Sequence, residues 1–228
     1  TERLLTFMGA RLKRSGGRLK VYPGPLHGRE IKVPGDISSA AFFIAAALLS
    51  GRPLKIKGVG LNPGRLGFII TLKKMGARIK VSRRAGGPEP CGDITVRPSR
   101  LRGVSVPARD IPSMTDEVPL LVLLAARARG TTSIKGAEEL RKKESDRIKS
   151  SLALLASLGA RGSYAGGTLN VPGGQAFGPA RPVETFGDHR IAMAAAAASA
   201  VCPGLKIKDP GCVDKSYPGF FSDFRRVF

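Results

Sequence analysis

Seven consecutive residues, Arg141 to Arg147, carry four cations and two carboxylates directly before an apolar stretch. The apolar residues that follow recur at the spacing of one helix face: Ile148, Leu152, Leu155 and Leu158. This spacing predicts a helix over residues 143–158 with Lys143, Glu144 and Arg147 in its first turn. Carboxylates suit the positive N-terminal end of a helix, whereas cations oppose its dipole. The cations therefore indicate that an anion binds there, although a solvated charge cluster is the alternative.

Three further groups of polar residues precede apolar or amphipathic segments. Asp116 opens a predicted helix that includes Leu120 to Ala128, and the run Gly187-Asp188-His189-Arg190 opens another over Ile191 to Val201. Lys215 stands shortly before a last amphipathic segment, Phe220 to Phe228. Each group also has a simple structural explanation: Asp116 could be a helix cap and His189 a bystander. These residues remain candidates for acid–base chemistry and anion binding.

The chain contains an internal repeat of roughly 75 residues. Aspartates before helices stand at positions 36, 116 and 188, and helix–strand–helix–strand–strand patterns follow them. The remaining predicted elements are helices over 38–49 and 66–75 and strands over 54–58, 78–81, 93–96, 131–135, 168–171 and 205–208. One such unit is too small to close a core, so we expect an α/β (α+β) lobe with helices inside and sheets outside. The helix N-termini should then gather at one end and attract anions.

The repeat also predicts the domain organisation. Residues 1–34 read as the end of an earlier repeat, with a short helix and strands at 11–13 and 18–22. Residues 35–228 contain three repeats, of which the last lacks its closing strands. We therefore expect a fragment: the tail of an N-terminal lobe followed by a C-terminal lobe.

Composition limits the classes of partner. The net charge is +21, from 38 Lys and Arg against 17 Asp and Glu. This charge favours anionic partners: nucleic acid, a membrane surface, or phosphorylated and carboxylated small molecules. Aromatic residues are only 6% and Trp is absent, which argues against base-stacking platforms. The three cysteines, Cys91, Cys202 and Cys212, suit neither a disulfide framework nor a metal site and favour a reducing cytoplasm. No apolar run is long enough to span a membrane.

Five motifs together resemble one enzyme family over essentially the whole chain. They are Val33-Pro34-Gly35-Asp36-Ile37-Ser38-Ser39-Ala40, Asp116-Glu117-Val118-Pro119, Lys143-Glu144-Ser145-Asp146-Arg147, Gly187-Asp188-His189-Arg190-Ile191-Ala192-Met193 and Lys215-Ser216-Tyr217-Pro218-Gly219-Phe220. In this order they resemble the C-terminal half of the 3-phosphoshikimate 1-carboxyvinyltransferase (EPSP synthase) family. The resemblance implies two lobes of three βαβαββ units each, which close on their substrates. It also implies transfer of the enolpyruvyl group of phosphoenolpyruvate to the 5-hydroxyl of shikimate 3-phosphate, in aromatic amino acid (chorismate) biosynthesis, with no metal and no organic cofactor.

The resemblance assigns a role to each matching residue. Asp116 matches the carboxylate that contacts the shikimate hydroxyls and can accept the 5-hydroxyl proton, and Glu144 matches the carboxylate at the phosphoenolpyruvate methylene. His189 matches a histidine that supports the charge network. The remaining matches bind substrate: Glu139 and Lys143 on shikimate 3-phosphate, and Arg147, Arg190 and Lys215 on the phosphoenolpyruvate carboxylate and phosphate. Arginine suits oxyanions because its planar fork binds them in bidentate fashion.

The sequence departs from the family in two respects, and it leaves rival functions open. Lys142 stands where the family usually has an apolar residue, and the family contacts contributed by the N-terminal half are not in this chain. One rival is the sister enolpyruvyl transferase that acts on UDP-N-acetylglucosamine, although the Lys143–Arg147 and Gly187–Arg190 motifs favour the shikimate enzyme. The other is a basic nucleic-acid-binding module, supported by the net charge alone. We predict no nucleic-acid partner and no membrane partner.

Overall fold

The computed structural model describes residues 1–84, 87–179 and 181–228. The chain begins with helix α1 (Glu2–Phe7) and the antiparallel hairpin β1 (Arg11–Ser15) and β2 (Arg18–Tyr22). The helices that follow are α2 (Ile37–Ser50), α3 (Gly67–Lys74), α4 (Val118–Arg127), α5 (Arg147–Ser157), α6 (His189–Ser199) and α7 (Phe220–Val227). The strands are β3 (Leu54–Gly60), β4 (Arg78–Arg84), β5 (Cys91–Arg97), β6 (Ser105–Val106), β7 (Thr132–Lys135), β8 (Ser163–Ala165) and β9 (Thr168–Val171).

Three helices, α2, α4 and α6, form the centre of the fold, and each packs against the other two. They are buried on nearly every side because their sequences are almost wholly apolar, as Val118 to Ala126 shows for α4. A helix that is hydrophobic all round must be enclosed, and the sheets on the outside enclose these three. The prediction of helices inside and sheets outside is therefore confirmed.

The two larger sheets of the described residues share one topology. In the first, the strand order is β3-β5-β4, and Gly35 forms a parallel bridge with Val59 at the free edge of β3. In the second, the order is β6-β7-β9-β8, with β6 parallel to β7 and the other neighbours antiparallel. Each unit thus has a short first strand beside its second strand, with a central helix connecting them. The pattern read from the sequence omitted this first strand, because only one or two residues form it.

The third unit repeats the start of this pattern. Val183 bridges Ile207 in parallel across α6, as Gly35 bridges Val59 across α2. The predicted strand over residues 205–208 is wrong, because this single bridge is all that forms there among the described residues. In the other units the equivalent strands, β3 and β7, also pair with an antiparallel neighbour, β5 or β9. Residues 205–208 have no such neighbour among the described residues.

The starts of the central helices lie at one end, as predicted. The Asp36 side chain caps α2 by accepting from the Ser39 amide, and Asp188 caps α6 by accepting from the Arg190 amide. The alternative interpretation of Asp116 as a helix cap is excluded, because Asp116 lies in a 3-10 turn, Thr115–Glu117, just before α4 and its side chain caps neither helix. Its carboxylate is therefore free of capping and available for other contacts. Of the helices that the structure describes, none has both the length and the apolar character needed to cross a membrane.

Candidate active site

Arg147 is the centre of a charge cluster at this end of the fold. It is the first residue of α5, and its side chain is only 1% exposed. Its Nε lies 3.0 Å from Asp188 Oδ2, its Nη1 lies 2.8 Å from Asp116 Oδ1, and its Nη2 lies 2.6 Å from Glu144 Oε2. Burial disfavours the charged guanidinium, but the hydrogen bonds that it donates to Asp188 and Asp116, together with the charges of Asp188 and Glu144, raise the pKa of Arg147 above its usual value. Three separate chain segments therefore meet on one cation.

Asp188 connects the starts of helices α5 and α6. Its side chain is fully buried and accepts from Arg147, from the Ser145 hydroxyl at 2.9 Å and from the Arg190 amide at 2.9 Å. The same carboxylate thus caps α6 and fixes the guanidinium at the start of α5. A buried carboxylate that accepts from this many donors holds Arg147, Ser145 and the start of α6 rigidly in place.

Asp116 faces three cations. Arg147 binds Oδ1, while Arg190 and Arg65 lie 3.5 and 3.7 Å from Oδ2. Burial alone would raise the pKa of Asp116, but the charge of Arg190, the hydrogen bond and charge of Arg147, and the charge of Arg65 outweigh it and hold the pKa below its usual value. Asp116 is therefore a carboxylate at neutral pH, as a proton acceptor must be.

A cavity of about 250 Å³ opens beside Asp116. Glu139 and Lys143 line it too, with Lys143 Nζ 3.9 Å from Glu139 Oε1. The three residues that the resemblance places on shikimate 3-phosphate, from two separate segments, therefore border one space. A larger groove, of about 670 Å³, lies between β3 and α7, and none of the predicted site residues is among the described residues that line it.

The predicted start of the helix that carries Lys143 and Glu144 is wrong. The helix begins at Arg147, because the Asp146 side chain accepts from the Ile148 and Lys149 amides and so fixes its N-terminus. Glu144 and Lys143 consequently lie in the preceding loop, and Lys143 is extended at φ −104° and ψ −164°. The loop leaves the Glu144 side chain 51% exposed, with Oε2 on Arg147. Glu144 is thus the most accessible carboxylate of the three that hold Arg147.

The other predicted residues lie at the start of α6 or on the segment that packs against this helix. Arg190 is mostly buried, with its guanidinium over the Phe42 ring, and its Nε has no hydrogen-bond partner among the described residues. His189, the first residue of α6, is buried. Lys215 is exposed at the end of a 3-10 helix, Pro210–Lys215, that packs against α6, and among the described residues it has no ion pair within 4 Å. Lys215 is therefore accessible to an anion, whereas the unpaired donor of Arg190 is buried.

His189 is expected to titrate below pH 6.5. Burial and the neighbouring charge of Arg190 lower the pKa of His189 below that of a free histidine side chain, about 6.5, against weaker opposing effects of Asp188 and Glu144. Since the folded pKa is the lower one, the unfolded chain binds this proton more readily, and stability falls as pH drops through the unfolded value. An NMR titration of the ring nuclei, assigned with His189→Gln, measures the pKa. A pKa above 6.5 would contradict the expectation.

Sequence reasoning missed several members of the cluster. Asp188 and Ser145 belong to recognised motifs, but neither was predicted to be a site residue. Ser38, Arg65 and Glu117 form a connected group on the other side of Asp116: Arg65 Nη2 donates to Ser38 Oγ at 2.7 Å, and Ser38 Oγ donates to Glu117 Oε1. Ser38 and Glu117 both lie in recognised motifs at helix starts, which was a usable signal. Nothing in the sequence around Arg65 pointed to the site.

The chain has the fold of the enolpyruvyl transferases. The enolpyruvyl transferase NikO from Streptomyces tendae superimposes with a TM-score of 0.65 over 96% of this chain and 50% of its own, at 24% identity, which shows the shared fold alone. EPSP synthase from Acinetobacter baumannii superimposes far better, with a TM-score of 0.91 at 36% identity, over 100% of this chain and 54% of its own.

The sequence comparisons then identify the family. The family profile described as EPSP synthase (3-phosphoshikimate 1-carboxyvinyltransferase) matches residues 1–224, and the chain belongs to this family. Two relatives with the name 3-phosphoshikimate 1-carboxyvinyltransferase are similar: that of Desulforudis audaxviator, 46% identical over 96% of this chain, and that of Limosilactobacillus fermentum, 44% identical over 100%. The chain spans 52% and 54% of the length of these two relatives.

Proposed function

We propose that this chain provides the C-terminal lobe of an enzyme that joins phosphoenolpyruvate to the 5-hydroxyl of shikimate 3-phosphate and releases phosphate. Residues 1–34 would belong to the other lobe in this proposal, and the protein would act in the cytoplasm. The observation that carries it is the convergence of Asp116, Glu144, Arg147 and Arg190 beside the cavity that Glu139 and Lys143 line.

In this proposal the cavity beside Asp116 receives shikimate 3-phosphate. Asp116 is ionised and lies on the cavity wall, so it can accept the proton of the 5-hydroxyl as the hydroxyl attacks. Lys143 and Glu139 on the same wall supply a donor and an acceptor for the other hydroxyls. Together they would hold the nucleophilic oxygen beside its base.

Phosphoenolpyruvate would bind next to Arg147 and Arg190. Nε, Nη1 and Nη2 of Arg147 each donate to a carboxylate and the side chain is only 1% exposed, so an anion that binds Arg147 would displace one of those carboxylates. Glu144 is the partner to be replaced, because it is half exposed whereas Asp188 is fully buried. Substrate binding would thus free Glu144 to take up a proton, give it to the methylene carbon on addition and take it back on elimination, while the phosphate leaves with the proton that Asp116 accepted from the 5-hydroxyl. Arg190 and Lys215 supply further charge for the carboxylate and phosphate.

The 228-residue chain alone is expected to bind phosphoenolpyruvate only at about millimolar Kd or weaker and to release no phosphate. Charge-assisted contacts from Arg147, Arg190 and Lys215 remain, but water reaches an open site and weakens them. We expect phosphate release to appear when the N-terminal half of the parent protein, or of the D. audaxviator relative, is added in trans.

Calorimetry of the lone chain and a phosphate-release assay with and without the other half measure both expectations. Lys80→Gln, an exposed cation on β4 outside the site, is the control for unspecific charge effects. Full activity of the lone chain would show that these 228 residues form a complete site without the N-terminal half. Absence of activity in a folded, docked pair would overturn the proposed function.

A further inference from the structure

A second set of contacts fixes Asp116 from the side opposite Arg147. Arg65, in the 3-10 turn Pro63–Arg65 before α3, has its Nη2 2.7 Å from Ser38 Oγ and 3.7 Å from Asp116 Oδ2. Ser38, in the first turn of α2, donates its hydroxyl hydrogen to Glu117 Oε1. Arg65 also borders the 250 Å³ cavity and is 47% exposed.

We propose that Arg65 is a positioning residue for Asp116, and that the buried pair Ser38 and Glu117 holds Arg65 in place. The effect of Arg65 on catalysis rests on the proposed function. The contacts among Arg65, Ser38, Glu117 and Asp116 do not depend on it.

The direction of the hydrogen bonds explains why Arg65 is held. Ser38 and Glu117 are almost fully buried, at 1% and 3% exposure. A hydroxyl has one hydrogen to give, and Ser38 gives it to Glu117, so its oxygen can only accept from the other side. Arg65 is the donor on that side, and a guanidinium is always charged. A half-exposed arginine, which would otherwise sample many rotamers, is thereby aimed at Asp116.

The charge of Arg65 then acts on the carboxylate that borders the cavity. Groups from several elements face Asp116 or the cations around it: Arg147 from α5, Arg190 from α6, the adjacent Glu117, Lys143 and Glu139 on the cavity wall, and Glu144 and Asp188 behind Arg147. Arg147 occupies Oδ1, whereas Arg65 and Arg190 share Oδ2. Removing Arg65 leaves Oδ2 with one cation, so the carboxylate gains freedom to rotate and loses part of the field that keeps it ionised.

The first test is independent of the reaction. A carboxyl ¹³C NMR titration of the 228-residue chain follows Asp116 directly, assigned with Asp116→Asn. Arg65→Met, which keeps length and removes charge, should move the titration of Asp116 to higher pH, and Arg65→Lys should restore part of the difference. Ser38→Ala should shift it in the same direction by less, since Arg65 then loses its anchor. Arg109→Met, on the adjacent 3-10 helix with an exposed side chain, should leave Asp116 unchanged.

Glu117→Gln separates a specific effect from general damage to the start of α4. It keeps an acceptor for Ser38 and cannot add negative charge beside Asp116, so it should not move the titration upward. An unchanged Asp116 titration in Arg65→Met, or an equal upward shift in Glu117→Gln, would overturn the proposal.

The second test uses the enzyme reconstituted from both halves. Arg65→Met should lower kcat/KM about twofold to fivefold at neutral pH, the range of a partly exposed charge pair. The acidic limb of the pH profile should move to higher pH, with partial rescue by Arg65→Lys. A titration shift without a matching shift in the pH profile would contradict the assignment of Asp116 as the base and leave Arg65 as its positioning residue. An unshifted titration contradicts the inference about Arg65 and leaves the proposed function standing.

Discussion

Replacing Asp188 by alanine is expected to cost about 3–5 kcal/mol of the free energy of unfolding, because it leaves a buried cation without its buried partner. Arg147 is 1% exposed and Asp188 is fully buried, so water cannot replace the lost bonds. The substitution also removes the cap of α6 and the acceptor of Ser145. Urea unfolding at pH 7 measures the loss, with the slope of the transition checked for two-state behaviour.

The control for Asp188→Ala is an ion pair of the surface. Lys208 Nζ lies 3.0 Å from Glu184 Oε2 with both side chains about half exposed, so Glu184→Ala should cost only about 0–1 kcal/mol. The double variant Arg147→Met with Asp188→Leu should be less destabilised than either single variant, because no uncompensated charge remains buried. Equal costs for Asp188→Ala and Glu184→Ala would show that burial does not govern this cluster.

The central helices were predictable because the sequence of each one, with its flanking residues, already indicates a buried helix. A run such as Ile37 to Leu48 is apolar on all sides, Asp36 precedes it and Gly51 follows it with a left-handed φ of 66°. Such signals need no knowledge of the rest of the chain. The strand predicted over 205–208 had a similar local pattern and failed, since a strand depends on a neighbour that the local sequence does not supply.

The site was less predictable than the fold, for a physical reason. The sequence before Arg147 resembles the first turn of a helix. The helix begins only at Arg147 because the Asp146 side chain caps it there, and Glu144 therefore lies in a loop. The burial of Arg147 depends on Asp116 and Asp188, which lie far away in sequence. Charge runs are usually solvated, so no local pattern reveals that this arginine is enclosed. The motifs identified the site residues, but which of these residues bind one another could be determined only from the folded structure.

Glu144→Gln in the enzyme reconstituted from both halves is expected to lower kcat by about 10²–10⁴-fold, the contribution of general acid–base catalysis. Glutamine keeps the shape of the side chain and an oxygen for Arg147, but it cannot transfer a proton at the methylene carbon. The KM for shikimate 3-phosphate should change little, because Glu144 lies outside the cavity lined by Asp116 and Lys143. Steady-state kinetics with each substrate varied in turn separates the two effects.

Two control variants make the Glu144 result specific. Glu139→Gln changes a carboxylate of the cavity wall, so it should raise the KM for shikimate 3-phosphate more than it lowers kcat. Glu184→Gln, on the surface beside Lys208, should leave both constants unchanged. Near-normal turnover in a folded Glu144→Gln enzyme would mean that Glu144 only neutralises Arg147 in the absence of substrate. The proton at the methylene would then have to pass through another group, and Asp116 is the remaining carboxylate on Arg147 that reaches the cavity.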